Sequence, residues 1–136
     1  MHLIVCLDDR NGMAFNRRRQ SMDRQLQAHM LNFVSGKQLW MNPYSASQFA
    51  QLPDSVQVDE NFLENCPKDA YCFIELGHFE EYLPSAEQIV VYRWNRTYPA
   101  DLRFPESALM ERRCVLREDF AGYSHETLTL EVYSHG

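Results

Sequence analysis

Long hydrophobic runs are missing from this sequence, and so are the short signatures of the common catalytic scaffolds. No stretch approaches the roughly 20 apolar residues that a membrane-spanning helix needs. The opening run, Leu3-Ile4-Val5-Cys6-Leu7, is too short for a secretion signal and ends in Asp8-Asp9. These absences predict a cytoplasmic protein with no membrane partner. There are no repeats, no low-complexity tract and no Gly-, Ser- or Pro-rich linker, so residues 1–136 are expected to form a single domain. The cysteines, Cys6, Cys66, Cys72 and Cys114, form no CxxC pair, and three lie in apolar, strand-like surroundings. That pattern predicts reduced structural thiols. The five histidines show no HxxxH, HxH or HExxH spacing, so no metal site is expected. GxSxG, P-loop and GxGxxG motifs are absent too, which removes the nucleophile elbow and the glycine-rich phosphate cradles. Positive charge is the scarcer sign: 13 Lys and Arg against 19 Asp and Glu leave a net charge of -6. Such a field repels nucleic acid, and no nucleic-acid partner is expected.

What is present is enough apolar material for a sizeable core: hydrophobic residues make up 45% of the chain, with eight Phe, seven Tyr and two Trp. Residues 3–7 are continuously apolar, as in a strand covered on both faces of a parallel sheet. Residues 8–20 read as a loop with a turn at Asn11-Gly12 and a run of arginines, Arg17 to Arg19. Ser21 is a candidate N-cap for a helix running to about residue 35, with Gly36 as its stop. Leu26, Met30, Phe33 and Val34 give that helix one apolar face. Short strands are expected at residues 38–41 and 55–58, with a break at Pro43, a short helix over 45–51 and one turn after Asp59. Further strands are expected at 70–75, 88–94, 112–116 and 126–133, and a short helix over 79–83. Strand and helix alternate first, and two strands close the chain. The order predicts an α/β fold of three layers, αβα, with a mixed, mostly parallel sheet and an antiparallel C-terminal hairpin.

The segment Phe79-Glu80-Glu81-Tyr82-Leu83-Pro84-Ser85-Ala86 leads into Ile89-Val90-Val91-Tyr92-Arg93-Trp94. Then comes Tyr98-Pro99-Ala100-Asp101-Leu102-Arg103-Phe104-Pro105. From Tyr71 onward this resembles the C-terminal half of dihydrofolate reductase. That family has a short helix ending in Leu-Pro, a strand, and an acid shortly before Phe-Pro. The closing strands, joined by a loop ending Tyr123-Ser124-His125, are similar to its terminal hairpin. The first half fits more loosely, with Leu39-Trp40-Met41 in the place of the family's second strand.

The resemblance implies a dihydrofolate reductase-like fold and a cleft whose candidate ligand-binding residues are Cys6, Arg19, Asp23, Met41 and Tyr92. It makes Asp23 the candidate catalytic acid, matching the carboxylate that anchors a pterin from the first helix. The same carboxylate at a helix start is also favoured by the helix dipole, whatever its function. Tyr92 stands where the family has a threonine that supports that acid. Asn42, Ser45 and Gly77 fall at the positions that would hold NADPH, but in an altered setting. A Gly-Arg-x-Thr loop is replaced by Asn42-Pro43-Tyr44-Ser45, and proline brings neither an amide donor nor a charge. The Gly-Gly pair that lets the backbone approach a pyrophosphate falls at Ile74-Glu75-Leu76-Gly77, and a carboxylate there repels phosphate.

Three readings follow. In the first, the chain keeps the fold, needs no cofactor and binds a small anionic or heterocyclic molecule in a cleft with a degenerate NADPH site. In the second it is an NADPH-dependent reductase of a pterin, an oxidoreductase with Asp23 orienting the ring. In the third it is a non-catalytic interaction protein whose cleft is filled by side chains such as Tyr92. Arg17 to Arg19 would hold a phosphate or carboxylate under the first reading, or form a solvated loop.

Overall fold

The computed structural model describes residues 1–135. A seven-stranded sheet runs through the molecule. It contains β1 (His2–Leu7), β4 (Leu39–Met41), β5 (Val56–Val58), β6 (Tyr71–Phe73), β7 (Gln88–Arg93), β9 (Arg112–Ala121) and β10 (Thr127–His135). The spatial order is β5-β4-β6-β1-β7-β10-β9. The first five strands in that order run parallel, while β10 is antiparallel to both β7 and β9. This is the mixed sheet with a closing antiparallel hairpin that the sequence pattern predicts.

Side-chain alternation along the strands builds two cores. Leu3, Val5 and Leu7 of β1, with Ile89 and Val91 of β7, face one layer. That layer is covered by Phe62 of α3 (Phe62–Asn65), Phe79 beside a 3-10 turn, and Ala108 and Leu109 of α4 (Glu106–Met110). Ile4, Phe73, Val90, Tyr92, Leu128 and Leu130 face the other layer, where α1 (Arg24–Phe33) lays Leu26 and Met30. Burying each such side chain contributes about 2 kcal/mol.

Between residues 8 and 20 the expected loop is instead a small sheet. β2 (Gly12–Phe15) and β3 (Arg18–Arg19) form a hairpin, and β8 (Leu102–Arg103) pairs with its outer side. Asn16 and Arg17 both have positive φ, 52° and 60°, which suits a two-residue turn between twisted strands. Asp8 organises the entry to this hairpin. Its fully buried carboxylate accepts from the amides of Arg10, Gly12 and Tyr98 and from Gln20 Nε2. Burial alone would raise its pKa, but these donors outweigh burial and lower it.

The helix also begins later than its sequence signal. Asp23, not Ser21, is the N-cap of α1, accepting from the amides of Gln25 and Leu26. Pro43 does not break the chain. It occupies the first turn of α2 (Pro43–Ala46), where its missing N–H costs nothing.

Candidate functional site

The carboxyl ends of the parallel strands β4, β6, β1 and β7 lie along one edge of the sheet. In open α/β sheets such an edge is the usual place for a ligand crevice. Cys6 and Tyr92 are register partners there, as are Ile4 and Phe73 two residues earlier. Alternation from Phe73 puts Glu75 in the same row as Cys6 and Tyr92.

Glu75 is 7% exposed and heavily hydrogen-bonded. Its Oε1 accepts from Ser45 Oγ at 2.9 Å and Gln48 Nε2 at 3.0 Å, and its Oε2 accepts from Arg19 Nε at 3.0 Å. Arg19 is fixed in turn. Its Nη2 donates to the Tyr44 carbonyl at 3.0 Å, its amide donates to the Tyr44 hydroxyl at 2.9 Å, and its guanidinium lies 4.2 Å over the Tyr44 ring. Arg19 is therefore not part of a solvated loop, whereas Arg17 and Arg18 are exposed. Ser45 sits in this cluster because Asn42 caps α2, accepting the Ser45 amide at 2.9 Å. The half-buried Cys6 lies beside it. Burial and the Glu75 charge push its thiol pKa well up, with Arg19 opposing.

Tyr92 is fully buried, and its hydroxyl is 2.8 Å from His29 Nδ1. The other ring nitrogen of His29 is 2.8 Å from Glu118. Burial, with the negative charge of Glu118, raises the phenol pKa. Met41 is a fully buried member of the α1-side core. Gly77 has a φ of +93° and lines two neighbouring cavities, of about 330 and 370 Å3.

Asp23 belongs to a different cluster. Besides capping α1, its carboxylate accepts from the amides of Tyr123, Ser124 and His125 at 2.9 to 3.1 Å. His125 Nδ1 adds a contact at 2.9 Å. Burial opposes ionisation, yet the amides of Tyr123, Leu26 and Ser124 and the His125 ring hold its pKa far below the ordinary carboxylate value. Every direction in which this carboxylate could accept a ligand is taken by the protein. The helix start and the β9–β10 turn absorb the charge of the acid that the resemblance makes a pterin anchor.

The structure thus gathers Arg19, Ser45, Cys6 and Tyr92 along one edge, with Asn42 behind Ser45, and separates Asp23 from their polar network. Gln48, Tyr44 and His29 join the cluster without any prior sequence signal. Glu75 was legible as a carboxylate in an unexpected place, and period-two alternation from Tyr71 would have shown its face. A second correction concerns the thiols. Cys66 and Cys72 are joined as a disulfide, while Cys6 and Cys114 are free. Among the described residues, no group of three or more His, Cys, Asp or Glu could hold a metal ion. No helix among them is long and apolar enough to cross a membrane.

A mostly parallel sheet closed by this antiparallel hairpin defines a dihydrofolate reductase-like α/β fold. Among solved structures the chain is similar to dihydrofolate reductase from Enterococcus faecalis complexed with NADP(H) and RAB-propyl. The superposition has a TM-score of 0.68 and covers 98% of this chain and 94% of that one at 13% identity. No protein-family model matches the sequence, and no curated protein matches it either.

Proposed function

We propose that this is a divergent dihydrofolate reductase-like protein with a degenerate NADPH site, which binds a small anionic or heterocyclic molecule in what is left of the cleft. The observation that carries this reading is the Glu75 cage. A buried carboxylate is already satisfied by Arg19, Ser45 and Gln48, at the position that the motif resemblance assigns to the pyrophosphate's approach to the backbone. Bringing phosphate there means either like-charge repulsion or breaking a buried ion pair. Asn42 spends its side chain on its own helix cap, and Pro43 has no amide to offer. The residues present therefore do not fit NADPH in its ordinary pose.

An anionic ligand is favoured by Arg18. It lines a cavity of about 420 Å3 with Phe15, Asn16, Gln20 and Tyr98, and pairs with no carboxylate among the described residues. A guanidinium beside two aromatic rings suits a planar ring that carries a phosphate or carboxylate.

The test is calorimetric titration with NADPH, with and without dihydrofolate, followed by an absorbance assay for NADPH consumption. Tight binding with turnover would overturn the proposal in favour of an active reductase. No binding, together with a thermal shift from an anionic heterocycle that Arg18→Ala abolishes, is the expected result.

A further inference from the structure

We propose that Ser21, His125 and Asp23 form a catalytic triad for the hydrolysis of small carboxylic esters, set where α1 begins against the β9–β10 turn. This site is independent of the NADPH reading and shares no residue with the Glu75 cage. His125 Nδ1 is 2.9 Å from Asp23 Oδ2, and its Nε2 is 3.3 Å from Ser21 Oγ. A carboxylate on Nδ1 keeps the proton on that nitrogen and leaves the Nε2 lone pair free to accept from a hydroxyl, which is the division of labour a serine nucleophile requires. The ring is rigidly placed. It stacks on Trp94 at 4.9 Å, and Asp23 is itself immobilised by the amides of Tyr123, Ser124 and His125.

Exposure follows the same order of roles. Asp23 and His125 are buried, at 2% and 6%, while Ser21 is only partly covered. His125 also lines a cavity of about 340 Å3 with Trp94, Asn95, Arg96 and Ser124. The amide of Met22, next in the chain after Ser21, donates to no acceptor among the described residues. An uncommitted N–H directly after a serine nucleophile is a natural oxyanion donor. One competitor is present. The Tyr98 hydroxyl lies 2.9 Å from the same Nε2, closer than Ser21, so the experiment must separate the two hydroxyls. A 3.3 Å serine–histidine contact is within what unliganded sites show before substrate draws the groups together.

In the step itself, Ser21 Oγ attacks the ester carbonyl carbon and its proton passes to His125 Nε2. The oxyanion of the tetrahedral intermediate meets the Met22 amide. Collapse breaks the ester C–O bond, and His125 returns the proton to the departing alkoxide. Water, deprotonated by His125, then attacks the acyl carbon, releasing the carboxylic acid and restoring the Ser21 hydroxyl.

The full chain is treated with a fluorophosphonate probe, mapped by peptide mass spectrometry, and assayed with p-nitrophenyl acetate. The expected result is an adduct on Ser21 and p-nitrophenolate release, both lost in Ser21→Ala with an unchanged unfolding temperature. His125→Gln is expected to slow labelling by about 100-fold or more. No adduct, an adduct on Tyr98, or ester turnover unchanged in Ser21→Ala would overturn the triad. Because Ser21→Ala removes only a partly exposed hydroxyl, the test does not depend on the His125 variant folding.

Discussion

Two buried carboxylates, Asp23 and Glu75, are satisfied in opposite ways. Asp23 takes its hydrogen bonds chiefly from backbone amides at two places far apart in the chain, α1 and residues 123–125. Glu75 takes all of its own from side chains, Arg19, Ser45 and Gln48. A charge held by amides is tied to the folding of the chain, since those donors exist only when the turns have formed. A charge held by side chains is tied to the identity of a few residues, and substitution can release it with the backbone still in place. The difference separates an acid anchored by the backbone from an acid caged by side chains.

The comparison breaks most visibly at Asp23. Asp23→Ala removes an N-cap and orphans the amides of the β9–β10 turn, and is expected to cost about 4 kcal/mol in urea denaturation. A loss below about 1 kcal/mol would mean that water replaces the carboxylate freely, and that Asp23 is not an anchor. Acid offers the same test without mutation. The folded-state pKa is depressed, so the stabilisation is complete above the unfolded value of about 3.9 and is lost as pH falls below it. Unfolding midpoints measured across that range should fall steeply for the natural chain and less for Asp23→Asn, which carries no titrating group at this position.

The Glu75 side of the comparison predicts a smaller effect with a different signature. Glu75→Ala strands Arg19 in a largely covered position and should cost about 3 kcal/mol, while replacing Arg19 and Glu75 together by Met should cost much less. Strict additivity of the two changes in a double-mutant cycle would show that the pair is not coupled.

These two acids also show how far the sequence could be read. The long strands were legible because apolar residues alternate or run together, as in residues 3–7 and 88–93, and burial on a sheet enforces that pattern. The β2–β3 hairpin was not, because it is short and polar and turns through positive φ at Asn16 and Arg17. The Arg112–Ala121 strand outran its expected end because it lies at the sheet edge, mostly exposed, where Arg117, Glu118 and Asp119 carry no penalty. At the candidate site the residues were legible one by one, but not their partners. Nothing in the spacing of Asp23 and His125, or of Glu75 and Ser45, announces a contact that only the folded topology creates. The same holds for Cys66 and Cys72, which meet because α3 ends against β6. Thiol titration of the unfolded chain should find two reactive cysteines without reductant and four with it. Cys66→Ser should cost about 2 kcal/mol under oxidising conditions and nothing once the natural chain is reduced.

The finest distinction lies at Tyr92, which sits in the Glu75 row yet bonds towards α1. Its hydroxyl meets His29, which is stacked at 4.1 Å on Phe120 and bonded to Glu118. If this hydroxyl serves the fold, as the Asp23 carboxylate does, Tyr92→Phe loses one buried hydrogen bond and about 1 kcal/mol, with ligand shifts unchanged. If it serves the site, as Glu75 does, stability holds or rises, and the thermal shift from an anionic heterocycle changes instead. The 2.8 Å contact to His29 and the complete burial of the ring favour the first outcome, because a ligand would have to displace a satisfied partner to reach this hydroxyl. Denaturation curves recorded with and without ligand therefore assign Tyr92 to one side of the comparison or the other.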